Sequence, residues 1–293
     1  YWMLGYCMLF EGRAAEALAK FDQAIRANPR NPQQWSRYFF KGRALIALGR
    51  YDEAVEWLNK AAASPPSAAT AERRANLYGW IAAAQALANR LEEAQATAAE
   101  ASRIWPMLTV RSFASEWWPD HGVPTAQIAP VLDGLRLAGI RDHADEDSNR
   151  GLESDAALHT NYRGPTPTSV PGARTIRTPD LAVLLERRRP LVLDTKGSGK
   201  SIPGTIALPG AGIGGAVSDE YQGRLKQKMD QLTRGERNVP IVTMDYNAER
   251  FEGRNLALRL AALGYTDVYW YRGGREAWDV AGFPQAEVAS EDW

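Results

Sequence analysis

Residues 239–284 decide the fold of the carboxy-terminal half, and they have the sequence VPIVTMDYNAERFEGRNLALRLAALGYTDVYWYRGGREAWDVAGFP. Residues 240–244 form a short apolar run with β-branched side chains, which is typical of a buried strand. Apolar residues at helical spacing then precede Gly264, a residue type that commonly ends helices. A second strand at 268–271 and a short helix after it complete the order strand, helix, strand, helix. This order predicts a parallel α/β sheet.

The loop after the first of these strands, residues 245–254, is the candidate functional site. In a parallel sheet such a loop lies at the carboxyl end of a strand and the amino end of a helix, where α/β proteins commonly bind ligands. Its candidate side chains are Asp245, Asn247, Arg250 and Arg254. The two arginines predict a site for sulfate, phosphate or carboxylate. The alternative is that they form ion pairs with Glu249, Glu252 or Asp194 that only fix the loop.

Several motifs in this half resemble the rhodanese family. The matching segments are 190–194 (PLVLD), 201–206 (SIPGTI), 263–265 (LGY), 273–274 (GG) and 281–284 (AGFP). The resemblance covers residues 175–285, and it implies a rhodanese-like domain built on a parallel sheet.

The chain departs from this family at the position that carries the chemistry. The resemblance implies a Cys as the first residue of the loop, where a thiolate accepts sulfane sulfur as a persulfide. Counting from the strand places Asp245 there, whereas counting back from Gly264 places Asn247 there, and both alternatives stay open. Neither side chain can form a persulfide, and the only thiol of the chain is Cys7. We therefore predict a degenerate active-site loop with no catalytic residue; the alternative is a sulfurtransferase-related enzyme or a small-anion-binding module that uses residues 245–254.

Residues 194–201, with the sequence DTKGSGKS, end like a phosphate-binding loop. That motif requires Gly where Asp194 stands, and Pro203 follows where a helix should begin, so we predict no nucleotide site. Lys196 and Lys200 are instead predicted to support the candidate site with positive charge. Asp194 is predicted to support it as a partner for the arginines of the loop.

Asp245 is expected to lie near the positive end of the helix that follows it, an arrangement that favours a carboxylate. On this hypothesis its carboxylate accepts loop N–H groups in place of a bound anion.

Three segments of the amino-terminal half share a pattern of small residues, an early aromatic residue and a turn before a Glu-Ala pair. The turns contain Gly12, Gly49 and Asn89, residue types that tolerate left-handed backbone. The pattern resembles tetratricopeptide repeats, which implies stacked helix pairs and a groove that binds a protein or peptide. A spacer or a dimerisation element is the alternative. The Trp117–Trp118 pair is predicted to cap the end of this array.

The alanine-rich repeats, followed by GLRLAGI at residues 134–140, are similar to the arrays that trail bacterial class III adenylate/guanylate cyclases. This resemblance implies part of a bacterial signalling protein. The chain opens on Tyr1 with no initiator Met, and we expect it to be a fragment.

The composition sets the remaining bounds on the 293 residues. A formal net charge of zero gives no indication of nucleic-acid binding, and no apolar run is long enough to span a membrane. One Cys agrees with a cytoplasmic location, and no motif indicates a cofactor or a metal. We predict an α + α/β protein with a helical repeat domain at 1–140, a Pro-, Thr- and Gly-containing linker at 141–174 and a rhodanese-like domain at 175–293.

Overall fold

The computed structural model describes residues 1–64, 69–117 and 125–293, which form two compact units, Tyr1–His143 and Ala144–Trp293. The predicted fold class is confirmed, because the first unit is a helical array and the second contains a parallel sheet with helices. The side chains of the Trp117–Trp118 pair lie outside the described part of the chain. In the ranges that are described, no helix has the length and apolar character needed to cross a membrane.

The first unit consists of helices that pack against their neighbours in sequence. Their bounds are α1 Trp2–Phe10, α2 Ala14–Ala27, α3 Gln34–Ala47, α4 Tyr51–Ala62, α5 Ala71–Leu87, α6 Leu91–Ile104, α7 Val110–Trp117 and α8 Thr125–Leu137. The first six pack as the three pairs α1–α2, α3–α4 and α5–α6, and α8 packs on α5. This is the arrangement that the three sequence repeats predict.

Each helix pair turns at the residue that the sequence pattern identifies. Gly12, Gly49 and Asn89 have φ angles of 82°, 71° and 62°, so all three adopt left-handed backbone. The N-cap residue that precedes the next helix is then an Arg that pairs with a Glu three residues later. These pairs are Arg13–Glu16, Arg50–Glu53 and Arg90–Glu93, with nitrogen–oxygen distances of 2.6, 2.6 and 2.5 Å.

Small residues let the helices of this unit approach closely. A Cβ atom on Gly42 of α3 would lie 2.6 Å from the Leu58 side chain of α4. On Gly134 of α8 it would lie 2.7 Å from the backbone oxygen of Ala83 in α5. Buried alanines and larger apolar side chains, such as the fully buried Phe21, fill the rest of this core.

The second unit is built on a five-stranded parallel sheet with the order β1-β6-β5-β2-β4. The strands are β1 Arg174–Ile176, β2 Leu191–Asp194, β3 Gly199–Ser201, β4 Ile206–Ala207, β5 Ile241–Met244, β6 Val268–Tyr271 and β7 Ala286–Val288. The helices are α9 Thr178–Arg188, α10 Glu220–Thr233, α11 Glu252–Ala262 and α12 Gly274–Val280. β3 and β7 form a separate antiparallel pair. The element that follows β2 is therefore a strand, whereas a phosphate-binding loop would be followed by a helix.

The segment predicted as a linker differs from that expectation, because its residues from 144 onward belong to the second unit. The Glu146 carboxylate accepts hydrogen bonds from the backbone N–H and hydroxyl of Thr178 at the start of α9. Further along, the backbone carbonyl of Tyr162 accepts from Phe251 N–H at 3.1 Å. The segment has few apolar side chains, yet its backbone groups make the bonds that secondary structure would otherwise supply. We refer to residues 144–166 as the covering segment.

Candidate functional site

Three neighbouring strands of the sheet end at the same level. Asp194 of β2, Met244 of β5 and Tyr271 of β6 are adjacent in register. Because these strands are parallel, the loops that follow them start from one edge of the sheet. The candidate loop therefore lies between the residues that follow β2 and the start of α12.

A buried ion pair supports this edge. Arg275 Nε lies 2.6 Å from Asp194 Oδ2, and both side chains are almost completely buried. The second oxygen of Asp194 accepts from the backbone N–H of Lys196 at 2.8 Å, and Ser201 Oγ donates to Oδ2 at 2.8 Å. The Arg275 guanidinium also donates to the carbonyl oxygen of Gly197. Among the described residues, Asp194 thus pairs with Arg275 and not with the arginines of the loop.

The start of α12 also fixes the backbone of the candidate loop. Arg275 N–H donates to Asp245 O at 3.1 Å, and Glu276 N–H donates to Tyr246 O at 2.9 Å. Gly274 permits this approach because it has a φ angle of 62°, and a Cβ there would lie 2.4 Å from Asp245 O. A residue other than glycine at 274 would push the two loops apart.

Asp245 is the first residue after β5, and its side chain points into the protein, with 3% of the residue exposed. Its Oδ1 accepts from the backbone N–H of Tyr246 at 2.6 Å, whereas no N–H or O–H group of the described residues donates to Oδ2. Burial raises the pKa of this carboxyl, and the nearby Asp194 charge adds to that effect. The expectation that Asp245 accepts several loop N–H groups is therefore wrong, since only the N–H of Tyr246 bonds to its carboxylate among the described residues.

Glu252, the first residue of α11, was considered from the sequence only as an ion-pair partner of the loop arginines, and its role beside Asp245 was missed. Burial and the charge of Asp245 raise its pKa to about 7, and a side-chain hydrogen bond to Asp245 contributes to the shift. Two carboxylates cannot bond to each other unless one carries a proton. The Glu252 carboxyl can therefore donate to Asp245 only when it is protonated. The feature of the sequence that could have indicated this role is the position of Glu252 at the start of a helix, seven residues after Asp245.

Two cations lie near this carboxyl pair. The charges of Lys196 and Arg250 oppose the rise in the pKa of both Asp245 and Glu252. Across the described residues, neither cationic head makes a hydrogen bond or an ion pair. Lys200, predicted to support the site, is exposed on β3 opposite Glu287 of β7 and has no contact with the loop in the described part of the chain.

The two remaining predicted site residues point elsewhere. Arg254 is fully buried and donates to Ala157 O at 3.2 Å and to Asp155 Oδ1 at 3.1 Å, so the covering segment occupies its guanidinium. Asn247 donates from Nδ2 to Glu276 Oε2 at 3.1 Å and accepts Glu249 N–H at 3.0 Å. Neither residue faces the carboxyl pair, which corrects their assignment to the site.

The chemistry of this arrangement is that of two carboxyls sharing a proton beside two cations. Within the described ranges, no group of three or more His, Cys, Asp or Glu side chains is arranged to bind a metal ion. Cys7 is exposed on α1 in the other unit. The candidate site can therefore exchange a proton near neutral pH, but it supplies no thiol nucleophile.

The raised pKa of Glu252 predicts that stability falls as pH rises. The folded state keeps a proton that the unfolded state, with its ordinary Glu pKa near 4.5, has lost, so stability from this group is complete below about pH 4.5 and disappears as pH rises through about 7. Allowing for the partial exposure of the group, we expect Glu252→Gln to be more stable than the parent at pH 8 by about 1–2 kcal/mol, with no advantage at pH 4.5. Urea unfolding at both pH values measures this, and a pH-independent difference would contradict it.

Comparison with known proteins adds the following. Residues 9–69 match the family model described as tetratricopeptide repeat. No curated protein sequence matches the chain significantly. Among solved structures, the chain is similar to a thiosulfate sulfurtransferase from Pseudomonas aeruginosa, with 25% identity over 59% of this chain and 30% of that chain, at a TM-score of 0.32. The match thus spans under a third of that protein's length, and at this TM-score it supports no conclusion about fold or activity. The tetratricopeptide repeat match agrees with the three helix pairs of the first unit.

Proposed function

We propose that this protein is a non-catalytic interaction or regulatory protein, in which a tetratricopeptide repeat scaffold binds a protein or peptide and a rhodanese-like domain has lost its nucleophile. The family match at 9–69 supports the scaffold role, since stacked repeats of this kind provide extended binding surfaces. The rhodanese-like assignment rests on the sequence motifs together with the parallel sheet and the loop at its carboxyl edge.

A cleft on the first unit supports the binding role. It has a volume of about 750 Å³ and lies between α1, α3 and the loop that precedes α3. Its walls are mainly aromatic and apolar: Trp2, Met3, Tyr6, Trp35 and Phe40. Aromatic side chains of this kind provide much of the energy in protein–peptide recognition.

The observation that carries the proposal is the identity and surroundings of Asp245. It follows β5 directly, where the resemblance implies the persulfide-forming Cys, and it is buried beside a second carboxyl. A carboxylate cannot take up sulfane sulfur, because the reaction needs a thiolate that attacks sulfur. Asn247 contacts Glu276 instead, which favours Asp245 as the residue at the Cys position.

A sulfurtransferase assay tests this proposal. With thiosulfate and cyanide as substrates, the parent protein is expected to give no more thiocyanate than a heat-inactivated sample. Asp245→Cys is expected to gain a thiol that reacts with a persulfide donor, and Asn247→Cys is the matched control that should gain no such reactivity. Turnover by the parent protein would refute the non-catalytic assignment, and reactivity at 247 alone would move the Cys position to that residue.

The wider setting forms part of the same proposal. The similarity of the repeat array to those that trail bacterial class III cyclases supports a role within a cytoplasmic bacterial signalling protein. In that setting the two units serve as regulatory or docking modules for a catalytic domain encoded in the same protein.

A further inference from the structure

We propose that the free edge of β4 and the adjoining face of α10 form a docking groove for an extended acidic peptide with the pattern Glu-x-aromatic. Residues 289–293, with the sequence ASEDW, occupy this groove as a built-in ligand, and we refer to them as the edge segment. The proposal goes beyond the binding role of the repeat array, because it assigns a second peptide site to the α/β unit. Its failure leaves the proposed function of the repeats unchanged.

The backbone part of the groove is the outer side of β4. This strand is the last in the order of the parallel sheet, so β2 covers only one of its sides. The edge segment lies along the other side, where Ser290 pairs with Ala207 in parallel orientation and Glu291 N–H donates to Ala207 O at 2.9 Å. Peptides commonly bind by adding a strand to a sheet edge, because every peptide carries the backbone groups that this pairing needs.

Two side chains of the edge segment contact α10 or the loop beside it. Glu291 Oε2 lies 2.6 Å from Lys228 Nζ. The centre of the Trp293 ring lies 5.0 Å from the Arg224 guanidinium, and Trp293 Nε1 donates to Pro209 O at 3.0 Å. Residues two apart in an extended segment point to the same face. The groove therefore recognises an acidic residue and an aromatic residue with one residue between them.

Charge determines which peptides fit the groove. Arg224 and Lys228 are one helical turn apart, so both lie on the face of α10 that borders the groove. The edge segment carries two carboxylates, Glu291 and Asp292, and no cationic side chain. A guanidinium also favours an aromatic ring packed against it. An acidic peptide with an aromatic residue thus complements the groove, whereas a basic peptide is repelled.

The edge segment can leave the groove without unfolding the unit. Residues 289–292 are exposed, and only Trp293 packs against the hydrophobic core as a partly buried side chain. β7, the preceding strand, is held separately by its pairing with β3. Segments with few buried contacts open locally at a small fraction of the free energy of global unfolding.

The groove is also wider than the edge segment. A cleft of about 290 Å³ continues along α10 beside Asp292 and Trp293, and Gln227 and Gln231 line it together with the two cations. These amide side chains can bond to the backbone or to polar side chains of a peptide. A partner peptide can therefore make contacts that the edge segment does not make.

The edge segment competes with such a peptide, because it is tethered next to the groove. A short tether gives an effective concentration on the order of 1 mM. If the isolated segment binds with a dissociation constant of about 100 µM, it fills the groove about nine-tenths of the time and weakens an external peptide about tenfold.

The experiment measures the binding of a fluorescent peptide with the sequence of residues 288–293, blocked at both ends, by fluorescence anisotropy. It compares the full chain with a shortened variant that lacks residues 289–293 and keeps β7. We expect the shortened variant to bind the peptide about tenfold more tightly than the full chain.

A charge exchange then identifies the groove as the binding site. In the shortened variant, Lys228→Glu should weaken the parent peptide by about fivefold or more. A peptide carrying Glu291→Lys should recover that loss on the Lys228→Glu variant. The matched control is Lys226→Glu, which makes the same change where α10 pairs with Asp230 and should leave peptide binding unchanged.

Tighter binding by the shortened variant together with the charge exchange supports the proposal. Equal binding by the two chains, or no binding by a folded shortened variant, would overturn it and leave the edge segment as a structural element. If circular dichroism shows that the shortened variant is unfolded, the full chain with Trp293→Ala replaces it, and binding no tighter than that of the parent would overturn the proposal. Dimers formed by the full chain and not by the shortened variant would overturn the external partner in favour of a second copy of this chain.

Discussion

Replacing Arg275 with Ala is expected to lower the free energy of unfolding of the α/β unit by about 3–5 kcal/mol. The substitution removes the guanidinium 2.6 Å from Asp194 Oδ2 and leaves a fully buried carboxylate with two weaker donors, Ser201 and the N–H of Lys196. It also removes the donor to the carbonyl of Gly197. A buried charge that loses its partner costs far more than an exposed one, because water cannot replace that partner.

Chemical denaturation of the full chain, followed by the fluorescence of the tryptophans, measures this loss. The matched control is Lys226→Ala, which breaks the exposed Lys226–Asp230 pair of α10 and should cost no more than about 0.5 kcal/mol. If the two variants lost similar stability, the Asp194–Arg275 pair would not be the buried support of the site.

The fold was predictable because its signals are local. The β-branched run at 240–244 and the glycine after α11 indicate a strand and a helix end without any tertiary information. Gly12 and Gly49 are equally local, since their left-handed backbone is required by the turn itself. In each case the residue type alone indicates the backbone conformation at its position.

The location of a site residue could be predicted only where the residue lies at the carboxyl end of a strand. Asp245 and Asp194 follow or end parallel strands, and the sheet brings such residues together. Arg254 was misassigned because its burial depends on Asp155, almost a hundred residues earlier, and nothing local indicates that contact. The role of Glu252 was missed for a similar reason, because its raised pKa results from burial and from the charge of Asp245, and neither can be read from the local sequence.

The covering segment shows the limit of composition as a guide. Pro, Thr, Gly and charged residues predicted an extended linker, and the segment does contain little regular structure. Its backbone nevertheless bonds to the candidate loop, for example from Gly164 N–H to Glu249 O at 3.1 Å and from Phe251 N–H to Tyr162 O at 3.1 Å. Backbone donors and acceptors are present in every sequence, so composition cannot indicate whether they bond to water or to another loop.

Replacing Gly134 with Leu is expected to destabilise the helical unit by about 3 kcal/mol, because α8 and α5 meet there backbone to backbone. Even a Cβ at 134 would lie 2.7 Å from Ala83 O and 3.0 Å from Ala83 Cα, and backbone atoms cannot rotate away as a flexible side chain can. α8 would have to move off α5. Gly134→Ala should show a smaller loss of about 1–3 kcal/mol.

Gly223→Ala provides the control for helix propensity, since Gly223 lies within α10 and a Cβ there would meet nothing within 4 Å. The free energy of unfolding of that variant should rise by about 0.5–1 kcal/mol, because Ala has a higher helix propensity than Gly. Opposite signs at the two glycines, measured by urea unfolding with circular dichroism at 222 nm, would show that the close crossing and not propensity requires Gly134. Were Gly134→Leu as stable as the parent, α8 could not be the helix that closes the repeat array against α5, and the array would have to end at α6.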